Sequence, residues 1–264
     1  MKSLIIKLVM VFVYISVHAQ DYALKQLESS PRHQEWVDIK TGGRTLHCFV
    51  VYPEKASKTP AIIIIHENRG LTDWVRSFAD QLAGAGYIAI APDLLSDFSE
   101  DKKTTGDFSS DDARKAIYEL NPDQVTSDLN ALEVYAQKIP SANGKTAVIG
   151  FCWGGSQSFR FATNNKNIKA VLVFYGSAPE KNGDLEKITA PVYGFYGEND
   201  NRINAGIDKT KELMTKAGKK YDFKIYRGAG HAYMRQGDDP SSSAELKKAK
   251  DDSWVRIKEI LAGI

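Results

Sequence analysis

The stretch KTAVIGFCWGG, residues 145–155, passes from an apolar run into a glycine-rich turn. The apolar run predicts a buried strand, and the residues after the turn have helical periodicity. The glycines two residues before and two residues after Cys152 complete the pattern G-x-nucleophile-x-G, with cysteine where serine is more usual. Glycine at those positions lets neighbouring backbone approach closely. We therefore predict a sharp strand-to-helix elbow that presents Cys152 above the carboxyl end of a sheet.

Strands and helices alternate on both sides of this stretch. Such alternation is typical of βαβ units, so we predict an α/β fold with a mainly parallel central sheet and helices on both faces. The polar segment 94–121 is interpreted as a loop or small helical excursion over the top of the sheet, where lids and substrate contacts often lie. The predicted strands are 46–52, 61–65, 87–91, 145–150, 169–175, 191–196 and 222–226, and the predicted helices are 71–85, 123–138, 154–162, 204–216 and 244–261.

The start of the chain has its own composition. Lys2 and Lys7 flank the beginning of an apolar run at residues 8–17, and compact residues precede a potential cleavage point after Ala19. This pattern is typical of a secretory signal peptide. The alternative is an uncleaved anchor, although the run is short for a span of about 20 residues. We expect a secreted or periplasmic protein without a stable membrane span, with residues 1–19 removed and one domain over residues 20–264.

Charge and cysteine content narrow the classes of function. Without Lys2 and Lys7 the chain carries 33 basic and 33 acidic residues. This balance gives no support for nucleic acid as a partner. The two cysteines, Cys48 and Cys152, suggest a disulfide in an oxidising compartment. Cys48, however, lies in an apolar strand and is interpreted as a core residue, and the absence of a C-x-x-C pair disfavours disulfide exchange. We expect no metal or cofactor, and the sequence does not indicate an oligomeric state.

A nucleophilic thiol needs a general base and a group that orients the base. In folds with this elbow the order along the chain is nucleophile, acid, histidine. His231 is the only histidine after Cys152, and it stands in a glycine-rich loop after a predicted strand. The acid should follow an intervening strand, and Asp200 ends the sequence G-E-N-D after strand 191–196. Glu198 in the same turn is the competing candidate.

An acyl-transfer site also needs hydrogen-bond donors for an oxyanion. The backbone N–H of Trp153, next to the nucleophile, is the first predicted donor. The second should come from the loop after strand 61–65, which reads H-E-N-R-G, and we assign it to the backbone of Asn68. His66 precedes the elbow in the chain. It is therefore interpreted as a structural residue at the end of the strand rather than as the base.

Four motifs together resemble the dienelactone hydrolase family of the α/β-hydrolase superfamily. The resemblance extends from about residue 35 to the last helix. The combination of a cysteine elbow and a glutamate in the early loop is what makes it specific. The motifs are I-H-E-N-R-G at residues 65–70, G-F-C-W-G-G at 150–155, G-E-N-D at 197–200 and G-A-G-H at 228–231.

The resemblance implies further roles. It implies a triad of Cys152, Asp200 and His231, and an interaction of Glu67 with the resting thiol that substrate binding relieves. Arg235, four residues after the histidine, is similar to the arginine that binds the substrate carboxylate in the family. Arg114 is the best candidate for a second arginine of that kind. The segment 94–121 and the predicted signal peptide depart from the family pattern.

The expected activity is hydrolysis of a small ester or lactone, one that could bear a carboxylate, through a thioester acyl-enzyme. Because a thiolate is a good leaving group, the tetrahedral intermediate can collapse backwards unless the substrate's own leaving group is also good. This favours activated esters such as enol lactones over simple amides. The alternative is a catalytically silent binding protein that retains these residues by descent.

Overall fold

A computed structural model describes residues 15–181 and 183–264, with side chains from residue 22 onward. The described part of the chain contains eight strands, β1 to β8, and nine α-helices, α1 to α9. The strands are β1 Gln34–Thr41, β2 Arg44–Val51, β3 Thr59–Ile65, β4 Ile88–Pro92, β5 Ala142–Phe151, β6 Val171–Phe174, β7 Val192–Gly197 and β8 Tyr221–Tyr226. The helices are α1 Ile15–Ser29, α2 Asp73–Gly84, α3 Ser110–Glu119, α4 Pro122–Lys138, α5 Trp153–Ala162, α6 Asn201–Asn204, α7 Ile207–Lys216, α8 Tyr233–Asp238 and α9 Ala244–Ala262.

The strands form one sheet in the order β1-β2-β4-β3-β5-β6-β7-β8. β1 and β2 are antiparallel to their neighbours, and the other six strands run parallel. The predicted mainly parallel α/β sheet is therefore confirmed. Ile65 is level with Gly150, and Phe151 with Phe174. This register brings the loops after β3, β5 and β6 to the same edge of the sheet.

Apolar side chains on both faces of the sheet explain its position in the core. All seven residues of β3 are buried, and successive side chains point to opposite faces. Ile62 and Ile64 join a core with Phe78 of α2, whereas Ile63 joins a second core with Leu129 of α4. Burying each such side chain contributes about 1.5–3 kcal/mol relative to leaving it exposed. The two cores hold the central strands and therefore the loops at their ends.

Two of the differences from the sequence prediction concern β1 and the helix predicted at residues 204–216. β1 was not predicted, because as an edge strand it alternates charged with apolar residues, and its Trp36 remains 53% exposed. The predicted helix 204–216 is instead α6 and α7, separated at Ala205 and Gly206. Glycine is a poor helix former, which fits a break there.

The polar segment 94–121 contains a 3₁₀ turn, Thr105–Asp107, and helix α3. Asp93 fixes this segment, because its carboxylate accepts from the backbone N–H and the hydroxyl of Thr105 at 2.6 and 2.7 Å. The same hydroxyl accepts from the N–H of Leu71 at 2.9 Å. The segment is thus a small helical excursion tied to the loop after β3. A lid function for it stays a prediction.

The predicted signal peptide lies largely outside the described residues, which begin at 15. The backbone of α1 runs from Ile15 through the predicted cleavage point after Ala19. Beyond that point Ala23 and Leu27 are buried. Cleavage and secretion therefore stay predictions. Within the described chain, no helix combines the length and the apolar character that crossing a membrane requires.

Candidate active site

Cys152 lies in a strained turn between β5 and α5. Its backbone has φ +56° and ψ −117°, a conformation that non-glycine residues rarely adopt. Strain of this kind amounts to about 1–3 kcal/mol and clusters at functional sites. The neighbouring glycines make the turn possible, because a Cβ on Gly150 would lie 1.9 Å from the carbonyl oxygen of Gly154. A Cβ on Gly154 would lie 2.3 Å from the carbonyl oxygen of Ile65.

The structure brings the three predicted triad residues together. The Sγ of Cys152 is 3.1 Å from Nε2 of His231, and Nδ1 of His231 is 2.5 Å from Oδ2 of Asp200. The side chain of Asp200 is 5% exposed and that of His231 is 31% exposed. A buried carboxylate on one ring nitrogen fixes the imidazole with the other nitrogen facing the thiol. This geometry is that of a nucleophile, a base and a group that orients the base.

Glu198 has a different place. Its Oε2 accepts from the backbone N–H of Gly228 at 2.9 Å, so it braces the loop that leads to His231. The N–H of Asn199 donates to the carbonyl of Ala229 in the same loop at 2.8 Å. The ring partner of His231 is therefore Asp200, the residue preferred from the sequence.

The backbone N–H groups of two residues near the thiol affect its ionisation. Those of Trp153, at the start of α5, and of Asn68, in the loop after β3, both act to lower the pKa of Cys152. These are the two donors assigned from the sequence. An anionic oxygen that develops next to this sulfur would lie within reach of the same donors.

His66 is a buried structural residue, as the sequence indicated. Its Nδ1 donates to the carbonyl of Glu67 at 2.8 Å, and its Nε2 accepts from the N–H of Leu94 at 3.2 Å. These partners define a neutral ring, and burial lowers its pKa. The ring stacks on Trp153 with a centroid distance of 5.6 Å. His66 therefore holds the loop after β3 against the elbow.

Glu67 and Arg235 form an ion pair next to the thiol. The Nε of Arg235 donates to Oε2 of Glu67 at 2.8 Å. Glu67 is 9% exposed, and Arg235 belongs to the short helix α8 directly after His231. The resemblance implied an interaction between Glu67 and the thiol, whereas here the carboxylate hydrogen-bonds to Arg235. Behind this pair, the hydroxyl of Tyr22 in α1 donates to the carbonyl of Arg235 at 3.2 Å.

The surroundings of the Cys152 thiol favour its neutral form. Burial is the largest factor that raises its pKa, and the negative charge of Glu67 raises it further. The N–H of Trp153, the charge of Arg202 and the N–H of Asn68 oppose this rise without cancelling it. A change in the position of the Glu67 carboxylate would therefore change the pKa of Cys152.

Arg114 lies at the rim of the site, on α3. Its side chain is 56% exposed, with Oδ1 of Asp111 4.0 Å away. It borders a shallow depression together with Asn68 and Tyr118, and the amide of Asn68 donates to the hydroxyl of Tyr118 at 3.3 Å. Arg114 is thus separate from the Glu67–Arg235 pair, and a role in carboxylate binding stays a prediction.

Two residues near the thiol were missed in the sequence. Tyr175, directly after β6, is fully buried with φ +39°, and its buried hydroxyl has no hydrogen-bond partner among the described residues. Its ring contacts His231 edge-on at 5.0 Å between centroids. Arg202 follows Asp200 by two residues, and its charge reaches Cys152. Neither residue has a sequence signal of its own, because its place near the thiol depends on how separate loops meet at the edge of the sheet.

Disulfide formation and metal binding are two other possible roles for the cysteine, histidine and acidic side chains. Cys48 and Cys152 are both free, which confirms that they do not form a disulfide. Among the residues that the structure describes, there is no group of three or more histidine, cysteine or acidic side chains arranged to hold a metal ion.

Comparison with known proteins identifies relatives over most of the chain. The model of the "Dienelactone hydrolase family" matches residues 46–264. A protein of Methylorubrum extorquens, provisionally named a carboxymethylenebutenolidase, is 30% identical over 218 residues, which cover 78% of this chain and 73% of that protein. A protein of Saccharolobus solfataricus with the same provisional name is 29% identical over 250 residues, which cover 83% of this chain and 94% of that protein.

Solved structures support the fold. A protein of Klebsiella pneumoniae, provisionally described as a dienelactone hydrolase, superposes with a TM-score of 0.76 at 23% identity and covers 88% of this chain and 99% of its own. An esterase of Pyrobaculum calidifontis has a TM-score of 0.67 at 14% identity and covers 94% of this chain and 92% of its own. At these identities the likeness establishes the α/β-hydrolase fold.

Proposed function

Because this chain belongs to the dienelactone hydrolase family and is a hydrolase, we propose that it cleaves small ester or lactone substrates with Cys152 as the nucleophile. The observation that carries the proposal is the position of the Cys152 thiol. It lies in a strained elbow, 3.1 Å from a histidine whose other ring nitrogen is 2.5 Å from a buried carboxylate. We interpret Cys152, His231 and Asp200 as a catalytic triad.

The reaction has two stages. His231 takes the proton of the thiol, and Sγ of Cys152 attacks the carbonyl carbon to form an S–C bond. The resulting oxyanion accepts hydrogen bonds from the N–H groups of Trp153 and Asn68. Removal of one such donor in a comparable hydrolase raises the barrier by about 2.7–4 kcal/mol. The ester C–O bond then breaks, His231 returns the proton to the departing oxygen, and a thioester remains.

Water completes the cycle. His231 removes a proton from a water molecule, the new hydroxide attacks the thioester carbonyl, and the S–C bond breaks. The acid product leaves, and the thiol regains the proton from His231. Asp200 keeps the imidazole oriented and stabilises its cation in both stages. In a lactone the departing oxygen stays attached to the product.

Glu67 and Arg235 connect substrate binding with activation of the thiol. A substrate carboxylate that pairs with Arg235 competes with Glu67 for the same guanidinium. Displacement of Glu67 changes the negative charge that raises the pKa of Cys152. A carboxylate-bearing substrate is therefore a fitting partner for this site. Related proteins have names that refer to lactones, such as the Bradyrhizobium protein named a probable 2-oxo-3-(5-oxofuran-2-ylidene)propanoate lactonase.

The test is a panel of activated aryl esters and enol lactones, assayed with the wild-type protein and with Cys152→Ala. Turnover that requires Cys152, together with a mass increase equal to the acyl group on Cys152 in rapidly quenched samples, supports the proposal. No turnover on any member of the panel, with unchanged binding by Cys152→Ser, favours the silent binding protein instead. Faster cleavage of peptides than of activated esters would contradict the thioester chemistry.

A further inference from the structure

A cleft of about 400 Å³ lies on the β6–β7 side of the elbow. Its walls are the loop after β6, residues 176–180, and the helices α6 and α7. The loop is fixed next to the nucleophile, because the N–H of Ser177 donates to Oγ of Ser156 at 2.9 Å, and Ser156 lies one turn after Cys152 in α5. The cleft therefore adjoins the elbow on the side away from Glu67, which follows β3.

Buried apolar side chains line part of the cleft. Ile203 and Ile207, each 5% exposed, line it together with Leu185, which is 6% exposed. The hydroxyls of Tyr196 and Tyr221, which also line the cleft, satisfy each other at 2.8 Å. Side chains of this kind accept the carbon skeleton of a small molecule without leaving polar groups unpaired.

The charged groups of the cleft are at its exposed edge. Arg202 and Lys209 are cationic and Glu180 is anionic, so the lining carries a net positive charge. Within the described chain, Arg202 makes no ion pair with a carboxylate. It is also close enough to the nucleophile for its charge to lower the pKa of Cys152. Arg202 is therefore an available cation between the thiol and the apolar side chains of the cleft.

Arg202 and Arg235 differ in what a ligand must displace. Arg235 is already paired with Glu67 at 2.8 Å, so an incoming carboxylate has to compete with that bond. A carboxylate that approaches Arg202 displaces only water. Charge-assisted hydrogen bonds are roughly twice as strong as neutral ones. Arg202 is thus ready to recognise an acid in the resting protein.

We propose that the cleft between residues 176–180 and helices α6 and α7 is a substrate subsite, and that Arg202 binds a carboxylate of the substrate there. This inference rests on the proposed hydrolase function. The proposed subsite defines where the substrate is acidic. The ester or lactone would have an acidic group on the side of the reacting carbonyl that faces β7. Arg202 is then a specificity-determining residue that touches the substrate but not the reacting bond.

The test compares three esters of similar reactivity. p-Nitrophenyl acetate is neutral, mono-p-nitrophenyl glutarate has its carboxylate on the acyl side, and 4-acetoxybenzoate has it on the leaving-group side. Arg202→Gln is compared with Arg202→Lys and with Lys216→Gln, which removes an exposed charge from α7 outside the cleft. Free glutarate is used both as an inhibitor of ester turnover and in a calorimetric titration, which measures binding without turnover.

We expect Arg202→Gln to reduce kcat/KM for one of the two acidic esters about tenfold more than for the neutral ester, mainly through KM, as loss of one charge-assisted contact predicts. Glutarate inhibition should weaken in parallel, Arg202→Lys should restore part of both effects, and Lys216→Gln should match the wild type. Equal effects of Arg202→Gln on all three esters, or unchanged glutarate inhibition, would overturn the subsite. If the wild type hydrolyses none of the esters, the proposed function itself fails, whereas glutarate binding still tests Arg202.

Discussion

The two cysteines lie in regions that give the same side chain different surroundings. Cys48 in β2 has no exposed surface, its thiol donates to the carbonyl of Leu46 at 3.7 Å, and burial raises its pKa far above the usual range. Cys152 in the elbow is also largely buried, yet Nε2 of His231 lies 3.1 Å from its sulfur, and the backbone N–H groups of Trp153 and Asn68 act to lower its pKa. The difference lies in the backbone: a strand buries a thiol among side chains, whereas the strained turn aims it at donors and a base.

The largest expected effect separates the two cysteines directly. Cys152→Ala should reduce kcat/KM for an activated ester by about 10⁴-fold or more, because the covalent route is lost. Cys48→Ala should leave kcat/KM within a few-fold and lower the free energy of unfolding by about 1 kcal/mol. Steady-state kinetics and urea unfolding measure both. Comparable losses of activity in the two variants would contradict the assignment of Cys152 as the nucleophile and of Cys48 as a core residue.

The orientation of the base is the next feature to test. Asp200→Asn should reduce kcat by roughly 10²–10⁴-fold, because the asparagine amide favours the wrong imidazole tautomer for His231. Glu198→Gln is the matched control, since it changes a carboxylate in the same turn that contacts Gly228 instead of the ring. Its effect on kcat should be less than tenfold, as expected for a residue that acts only through the loop. A larger loss for Glu198→Gln than for Asp200→Asn would reassign the acid.

The turn at Cys152 can be disrupted by a substitution that changes no polar side chain. Gly154→Ala places a Cβ 2.3 Å from the carbonyl oxygens of Ile65 and His66, both of which are backbone atoms. We expect about 2–4 kcal/mol of destabilisation and a loss of activity in the fraction that folds. Gly106→Ala, where the nearest atom outside the adjacent residues is 3.5 Å away, should change stability by about 0.5 kcal/mol or less. Thermal unfolding measures the contrast, and equal melting temperatures would refute the steric argument.

The smallest expected effect concerns the resting charge of the thiol. The anionic Glu67 disfavours a second negative charge nearby and so raises the pKa of Cys152. Glu67→Gln removes that charge, stabilises the thiolate and lowers the pKa. The pH dependence of alkylation by iodoacetamide should therefore shift to lower pH, with a several-fold faster rate at neutral pH. Glu198→Gln should leave the profile in place, and an unchanged or upward-shifted profile for Glu67→Gln would contradict this electrostatic argument.

Local patterns along the chain predicted most of the sheet and the elbow. The continuous apolar run in β3 and the glycines around Cys152 are properties of a few consecutive residues. β1 escaped prediction because an edge strand needs no continuous apolar face. The roles of Tyr175 and Arg202 depend on how separate loops meet at the sheet edge. A single sequence contains no record of such distances.

The contact from Tyr22 to Arg235 connects the beginning of the described chain to the candidate active site. Tyr22 precedes the residues matched by the family model, 46–264, yet its hydroxyl holds the carbonyl of a residue in the proposed active site. Helix α1 is fixed there because Arg32 and Ser30 both bind Asp80 of α2. Cleavage at the predicted point after Ala19 would leave this attachment intact. A protease that removed about a dozen further residues would leave Cys152, His231 and Asp200 in the chain but would remove the hydrogen bond that supports Arg235.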